Sequence, residues 1–88
     1  MNFQHYDLGQ LRQGATVEIT LQGHAANVQL MDSANFQRYK NRQRYEYFGG
    51  HATTSVTQLA VPRTGHWHVA IDLGGNGGQV RSNVQVYG

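Results

Sequence analysis

His66 and His68 stand two positions apart in the run Gly65-His66-Trp67-His68-Val69-Ala70-Ile71-Asp72-Leu73. In an extended chain this spacing points both imidazoles to one face, with Asp72 on that face two pleats further on. Two imidazoles so placed can share a metal ion, but a closed site needs a third and a fourth ligand. The sequence leaves those open among His5, His24, His51 and Asp72. Simple alternation gives a second reading, in which surface histidines flank a tryptophan that fills the core. His66 and His68 are therefore metal candidates without a full ligand set, and no cofactor is expected.

A second group is basic and aromatic. Arg38, Lys40, Arg42 and Arg44 alternate through Arg38-Tyr39-Lys40-Asn41-Arg42-Gln43-Arg44-Tyr45, with Phe36, Tyr47 and Phe48 close by. Positive charge beside exposed rings is how single-strand nucleic-acid binders contact phosphates and stack bases. The same residues suit an anionic small molecule or an acidic protein surface. The alternative is a solvated loop whose arginine stems cover aromatics facing the core. A net charge of +2 is a weak driver of non-specific nucleic-acid binding.

Catalytic patterns do not emerge. Without cysteine there is no thiolate nucleophile, and Ser33, Ser55 and Ser82 sit in no nucleophile-elbow motif. Asp7, Glu18, Asp32, Glu46 and Asp72 form no close pair along the chain. Gly74-Gly75-Asn76-Gly77-Gly78 lacks the following helix and the Lys-Ser/Thr pair that a phosphate loop requires. The expectation is that the chain is not an enzyme.

These residues must be positioned by strands. Val17, Ile19 and Leu21 alternate with Thr16, Glu18 and Thr20, and Val28 and Leu30 repeat the pattern after a turn at Gly23-His24. Trp67, Val69, Ile71 and Leu73 share one face, answered by Val80, Val84 and Val86, so the glycine-rich loop between them reads as a β-hairpin. Thr53–Val61 has Val56 out of phase with Leu59 and Val61, which a bulge near Gln58 would repair before Pro62 ends the strand. Phe3–Leu8 and Arg44–Phe48 are further strand candidates. Asp32-Ser33 can cap a short helix over Ala34–Asn41, with Phe36, Tyr39 and Lys40 on one side.

The expected fold is all-β: one small antiparallel β-sandwich over residues 1–88, jelly-roll-like, with about seven strands and at most one short helix. Eighty-eight residues bury only roughly 60–65% of their unfolded surface, which leaves little enclosed volume. No apolar run is long enough to span a membrane, and the start MNFQHYDLGQLRQG is unlike a signal peptide. With no disulfide framework either, a cytoplasmic location is expected.

Charged residues make up 14% of the chain, while ten Gln and six Asn supply most of the remaining polarity. Native sheets blunt their edges with lysine, proline or inward charge, and this chain has one Lys and one Pro. An edge open to a protein partner, a second copy of the chain included, is expected. The leading functional reading is thus a binding or assembly module working through a strand edge or the 36–48 surface. The alternative is an anionic-ligand or nucleic-acid site on segment 38–47, using Arg38, Tyr39, Lys40, Arg42, Arg44 and Tyr45. A further alternative is a metal or sugar site around His51, His66 and His68. His51, after Gly49-Gly50 and unexplained by alternation, is the residue best placed for a non-structural role.

Several segments together resemble a family of short bacterial proteins, the domain of unknown function 1883. They are Phe3-Gln4-His5-Tyr6-Asp7-Leu8-Gly9, Asn27–Phe36 with Tyr39, Gly49-Gly50-His51, Val61-Pro62 and Gly65–Gly75. The resemblance covers nearly the whole chain. It implies a compact antiparallel β-sandwich, found alone or beside Toll/interleukin-receptor-type domains, and it carries no catalytic residues. A looser similarity to bacterial pre-peptidase C-terminal domains lies in Pro62-x-x-Gly65-x-Trp67. In physical terms these shared positions are structural: Trp67 as core filler, Pro62 and Gly65 shaping its turn, Asp32 and Asn35 satisfying backbone donors.

Overall fold

The computed structural model describes residues 3–74 and 78–88. Its elements run β1 (Gln4–Leu11), β2 (Thr16–Gly23), β3 (Ala26–Asp32), α1 (Ser33–Lys40), β4 (Phe48–Ala52), β5 (Val56–Ala60), β6 (Gly65–Asp72) and β7 (Val80–Tyr87). They form two antiparallel sheets, ordered β1-β6-β3-β4 and β5-β2-β7, so the expected all-β sandwich with one short helix is the fold found.

Alternation explains the core. Val17, Ile19 and Leu21 from one sheet meet Val28, Leu30, Trp67, Val69 and Ile71 from the other, all buried. Each such side chain contributes roughly 1.5–3 kcal/mol on leaving water. Trp67 is the largest, its indole N–H donating to the Arg63 carbonyl at 3.0 Å, while the Arg63 guanidinium lies 5.1 Å from the ring centroid. Pro62 and Gly65 bracket this turn.

Three expectations of detail fail. β6 and β7 do not pair: they belong to opposite sheets, so the expected hairpin is a crossover between layers. Strand periodicity cannot tell these apart, because both put the same side chains inward; residues 75–77 of that loop lie outside the described residues. β5 has no bulge, since Leu59 and Val61 face in while Val56 faces solvent at 45% exposure. The register shift occurs instead in β1, between Asp7 and Gly9. Finally, only the end of Arg44–Phe48 is strand. Residues 43–47 are held by side chains, with Glu46 N–H donating to Asn35 Oδ1 at 2.9 Å and the Tyr45 hydroxyl to Gln29 Oε1.

The helix spans one residue earlier than expected, with Asp32 as its N-cap. Asp32 Oδ1 accepts from the Asn35 amide and side chain at 2.9 Å each, and Oδ2 from Arg63. Burial alone pushes the Asp32 carboxyl up, but the Asn35 donors and Arg63 outweigh it and hold the group below the ordinary carboxylate range. A depressed folded pKa means stability present above the unfolded value and lost as pH falls through the folded one. Asp32→Ala is therefore expected to cost about 1–2 kcal/mol at pH 7. In urea denaturation the gap from the parent protein should persist at about pH 5 and narrow progressively as pH falls below about 4.

Helix α1 and residues 41–47 connect β3 to its own neighbour β4 by crossing the outer face of the four-stranded sheet. Phe36 and Tyr39 bury against Met31 and Ala70 on that face, with Phe3 and Tyr45 packed beside them. The central strand β6 is thus covered on both sides.

Candidate functional site

The covered outer face carries a polar group at each end of the Met31–Ala70–Phe36–Tyr39 patch. At one end stands Asp72, 5% exposed. Its Oδ1 accepts from Asn27 Nδ2 and the Gly74 amide, both at 2.9 Å, and its Oδ2 from the Tyr39 hydroxyl at 2.6 Å and Gln29 Nε2 at 3.0 Å. Burial and the Asp72 charge push the Tyr39 phenol far up, so it stays a donor; burial likewise raises Tyr45. Beside this network opens a cavity of about 340 Å³, lined by Asn27, Gln29, Tyr45, Tyr47, His51 and Asp72 among others. His51 is exposed on β4, with Nδ1 3.3 Å from Asn27 Oδ1.

At the other end β1 brings His5 and Asp7 against His66 and His68 of β6. Asp7 sits opposite His68 and, helped by the register shift, reaches His66 diagonally. His66 Nε2 lies 2.6 Å from Asp7 Oδ1, and His5 Nε2 lies 2.9 Å from His68 Nδ1. Ser33 Oγ, from the first turn of α1, stands 2.8 Å from His68 Nε2. The Phe36 ring stacks on both His5 and His68, at 4.0 and 4.6 Å between centroids. Burial pulls the pKa of both His5 and His68 down, favouring neutral imidazoles. The Gly9 amide and His66 hold the Asp7 carboxyl down, favouring the anion.

This arrangement revises the sequence reading. His66 is exposed as expected, but His68 is 7% exposed, because α1 roofs the strand. Asp72 joins the amides and tyrosines, not the histidines; Ala70 separates them. His24 lies apart, with Nδ1 2.9 Å from the Gln79 carbonyl. Sequence reasoning missed Asp7, Ser33, Asn27 and Gln29 as site residues; Tyr47, grouped there with the basic segment, lines the cavity instead. A signal existed for the first: His5-x-Asp7 has the same two-residue spacing as His66-x-His68, which antiparallel pairing brings together.

In the basic segment, Arg38, Lys40, Arg42 and Arg44 are all exposed. Arg38 Nη1 reaches Asn35 Oδ1 at 3.3 Å, and Lys40 Nζ lies 5.0 Å from the Phe36 ring centroid. Tyr39, expected as a stacking surface, is 2% exposed with its ring packed inward; only its hydroxyl faces the cavity network. Tyr45 is half-buried against Tyr39 and Tyr47. The cause is α1, which turns Phe36 and Tyr39 onto the sheet.

The two sides of the sandwich also differ. On one, β1 laces onto β7: Gln4 Nε2 donates to the Val80 carbonyl at 2.8 Å and the Tyr6 hydroxyl to the Ser82 carbonyl at 2.9 Å. On the other, the edge strands β4 and β5 carry no charged residue and no proline. Exposed Tyr47 precedes β4, exposed Phe48 opens it, and exposed Val56 starts β5. Among the described residues, no helix is long and apolar enough to cross a membrane.

No curated protein and no solved structure matches the chain. A family match does exist, and it extends over residues 1–88: the chain belongs to the family described as domain of unknown function DUF1883.

Proposed function

We propose that this chain is a non-catalytic binding module that takes an extended segment of a protein partner, a second copy included, along the β4–β5 side. The observation that carries the reading is the pairing of two unguarded edges flanked by Tyr47, Phe48 and Val56, exposed by 45%, 43% and 45%. Free ladder groups on such edges pair readily with another strand, and apolar side chains beside them add burial. The absence of cysteine suits the reducing cytoplasm as the place of action.

Gln58 and Gln85 provide a matched test, because they flank Glu18 from opposite edges of the same sheet. A photo-crosslinking side chain at position 58 is expected to capture a partner, and one at position 85 is not. A doubled mass in the purified chain identifies a second copy; an adduct formed only in lysate identifies another protein. Val56→Lys, which changes stability by no more than about 0.5 kcal/mol, should abolish the adduct at 58. Equal capture at both positions, or none at either, overturns the reading.

A second reading rests on the 340 Å³ cavity. Its amides, tyrosine rings and His51 suit a neutral, hydroxyl-rich ligand of the sugar class. The anionic-ligand or nucleic-acid alternative has less support: its four cations are solvated, but its aromatic partners Tyr39 and Tyr45 are turned inward.

A further inference from the structure

The histidine end of the covered face goes beyond that reading and is independent of it. We propose that Asp7, His66 and His68, with His5 alongside, form a binding site for a divalent transition-metal ion of the zinc class. Ligand atoms of Asp7, His66 and His68 all lie within 4.8 Å of one another. A four-coordinate ion with bonds of about 2.0–2.2 Å needs its ligands roughly 3.4 Å apart. Asp7 and His66 can close that difference by side-chain rotation, since their side chains are 55% and 47% exposed. His68, the buried member, is already held in place.

The surroundings of His68 give the second argument. Metal-bound imidazoles commonly donate their other N–H to an oxygen, which fixes the tautomer. Ser33 Oγ, 2.8 Å from Nε2, can accept that proton and leave the Nδ1 lone pair facing His5 Nε2 at 2.9 Å. At that distance the two imidazole nitrogens share a proton, which a bound ion would replace once the pair opens to about 3.4 Å. The Asp7 carboxylate supplies negative charge, and its Oδ1 also accepts from the Gly9 amide at 3.0 Å. Two imidazoles and one carboxylate, with the His5 imidazole beside His68, are a borderline donor set, suited to Zn²⁺ or Co²⁺ and poorly suited to Mg²⁺ or Ca²⁺.

The test is titration of the tag-free chain with Co²⁺, followed by its visible absorption, and with Zn²⁺, followed by calorimetry. One equivalent per chain is expected, with the intense visible bands of four-coordinate Co²⁺ that Zn²⁺ then displaces. His66→Gln, at an exposed position that the fold tolerates, should weaken binding by about 100-fold or more, as should His68→Gln. His24→Gln, at a histidine outside the cluster, should bind as the parent does. Failure to take up one equivalent of either ion, or uptake that survives His66→Gln, overturns the proposal.

Discussion

Asp72→Ala is expected to lower the unfolding free energy by about 3–4 kcal/mol, the largest loss from any single polar side chain among the described residues. In a chain of this length that corresponds to a fall in Tm of roughly 12–30 °C. The reason is the number of donors aimed at one carboxylate: Asn27, Gln29, Tyr39 and the Gly74 amide, all within 3.0 Å. Removing the acceptor strands the buried Gln29 amide and Tyr39 hydroxyl, and each unsatisfied buried donor costs about 1–3 kcal/mol before relaxation. Asn27 and the Gly74 amide, by contrast, border the cavity and can turn to water. Asp72→Asn keeps the shape and one oxygen but turns an amide N–H toward two donors, so about half the loss is expected. Urea denaturation of both variants measures this. A loss under about 1 kcal/mol for the alanine variant would mean that water already satisfies the network.

The same variant separates the functional readings. The Asp72 network ties α1 and residues 41–47 to the sheet, so loosening it should distort the 340 Å³ cavity and any ligand that it takes. The β4–β5 edges depend on pairing with β3 and β2, not on the roof. Crosslinking at position 58 should therefore survive Asp72→Asn if an extended protein segment is the partner.

How much of this was legible in the sequence follows from the range of each interaction. Alternation in Val17–Leu21 and in Trp67–Ile71 is local, and it predicted the strands and most of their inward faces. The Asp32 cap is local too, and it placed α1 to within one residue. What alternation could not supply was the pairing of distant segments. Whether β7 joins β6 or β2 leaves the same side chains facing inward, so the hairpin and the crossover look alike in sequence. The burial of His68 and Asp72 depends on a helix from elsewhere in the chain lying over their face. Arg38 to Arg44 form a charge pattern visible in the sequence, but the orientation of Tyr39 depends on packing against Met31 and Ala70. His5 and Asp7 meet His66 and His68 across some sixty residues of sequence.

Gly49→Ala is the second substitution with a large expected effect, and it bears on the proposed edge directly. Gly49 has φ +122°, a region almost closed to residues with a side chain, and a Cβ there would stand 2.2 Å from the Val28 carbonyl oxygen. That oxygen belongs to the β3 backbone and cannot swing aside as a flexible side chain would. Backbone strain of this kind costs about 1–3 kcal/mol, and the clash adds to it. An edge strand paired on one side only can relieve both by peeling away. The expected result is a loss of about 2–3 kcal/mol, with amide-exchange protection in 48–52 lost and protection in β2 and β6 retained. Gly65→Ala is the control: its Cβ would meet only the Trp67 indole nitrogen at 3.6 Å, an ordinary contact. If the partner pairs with β4, capture at position 58 should weaken in Gly49→Ala and not in Gly65→Ala. Capture unchanged in both would move the contact onto β5 alone, with Val56 as its anchor.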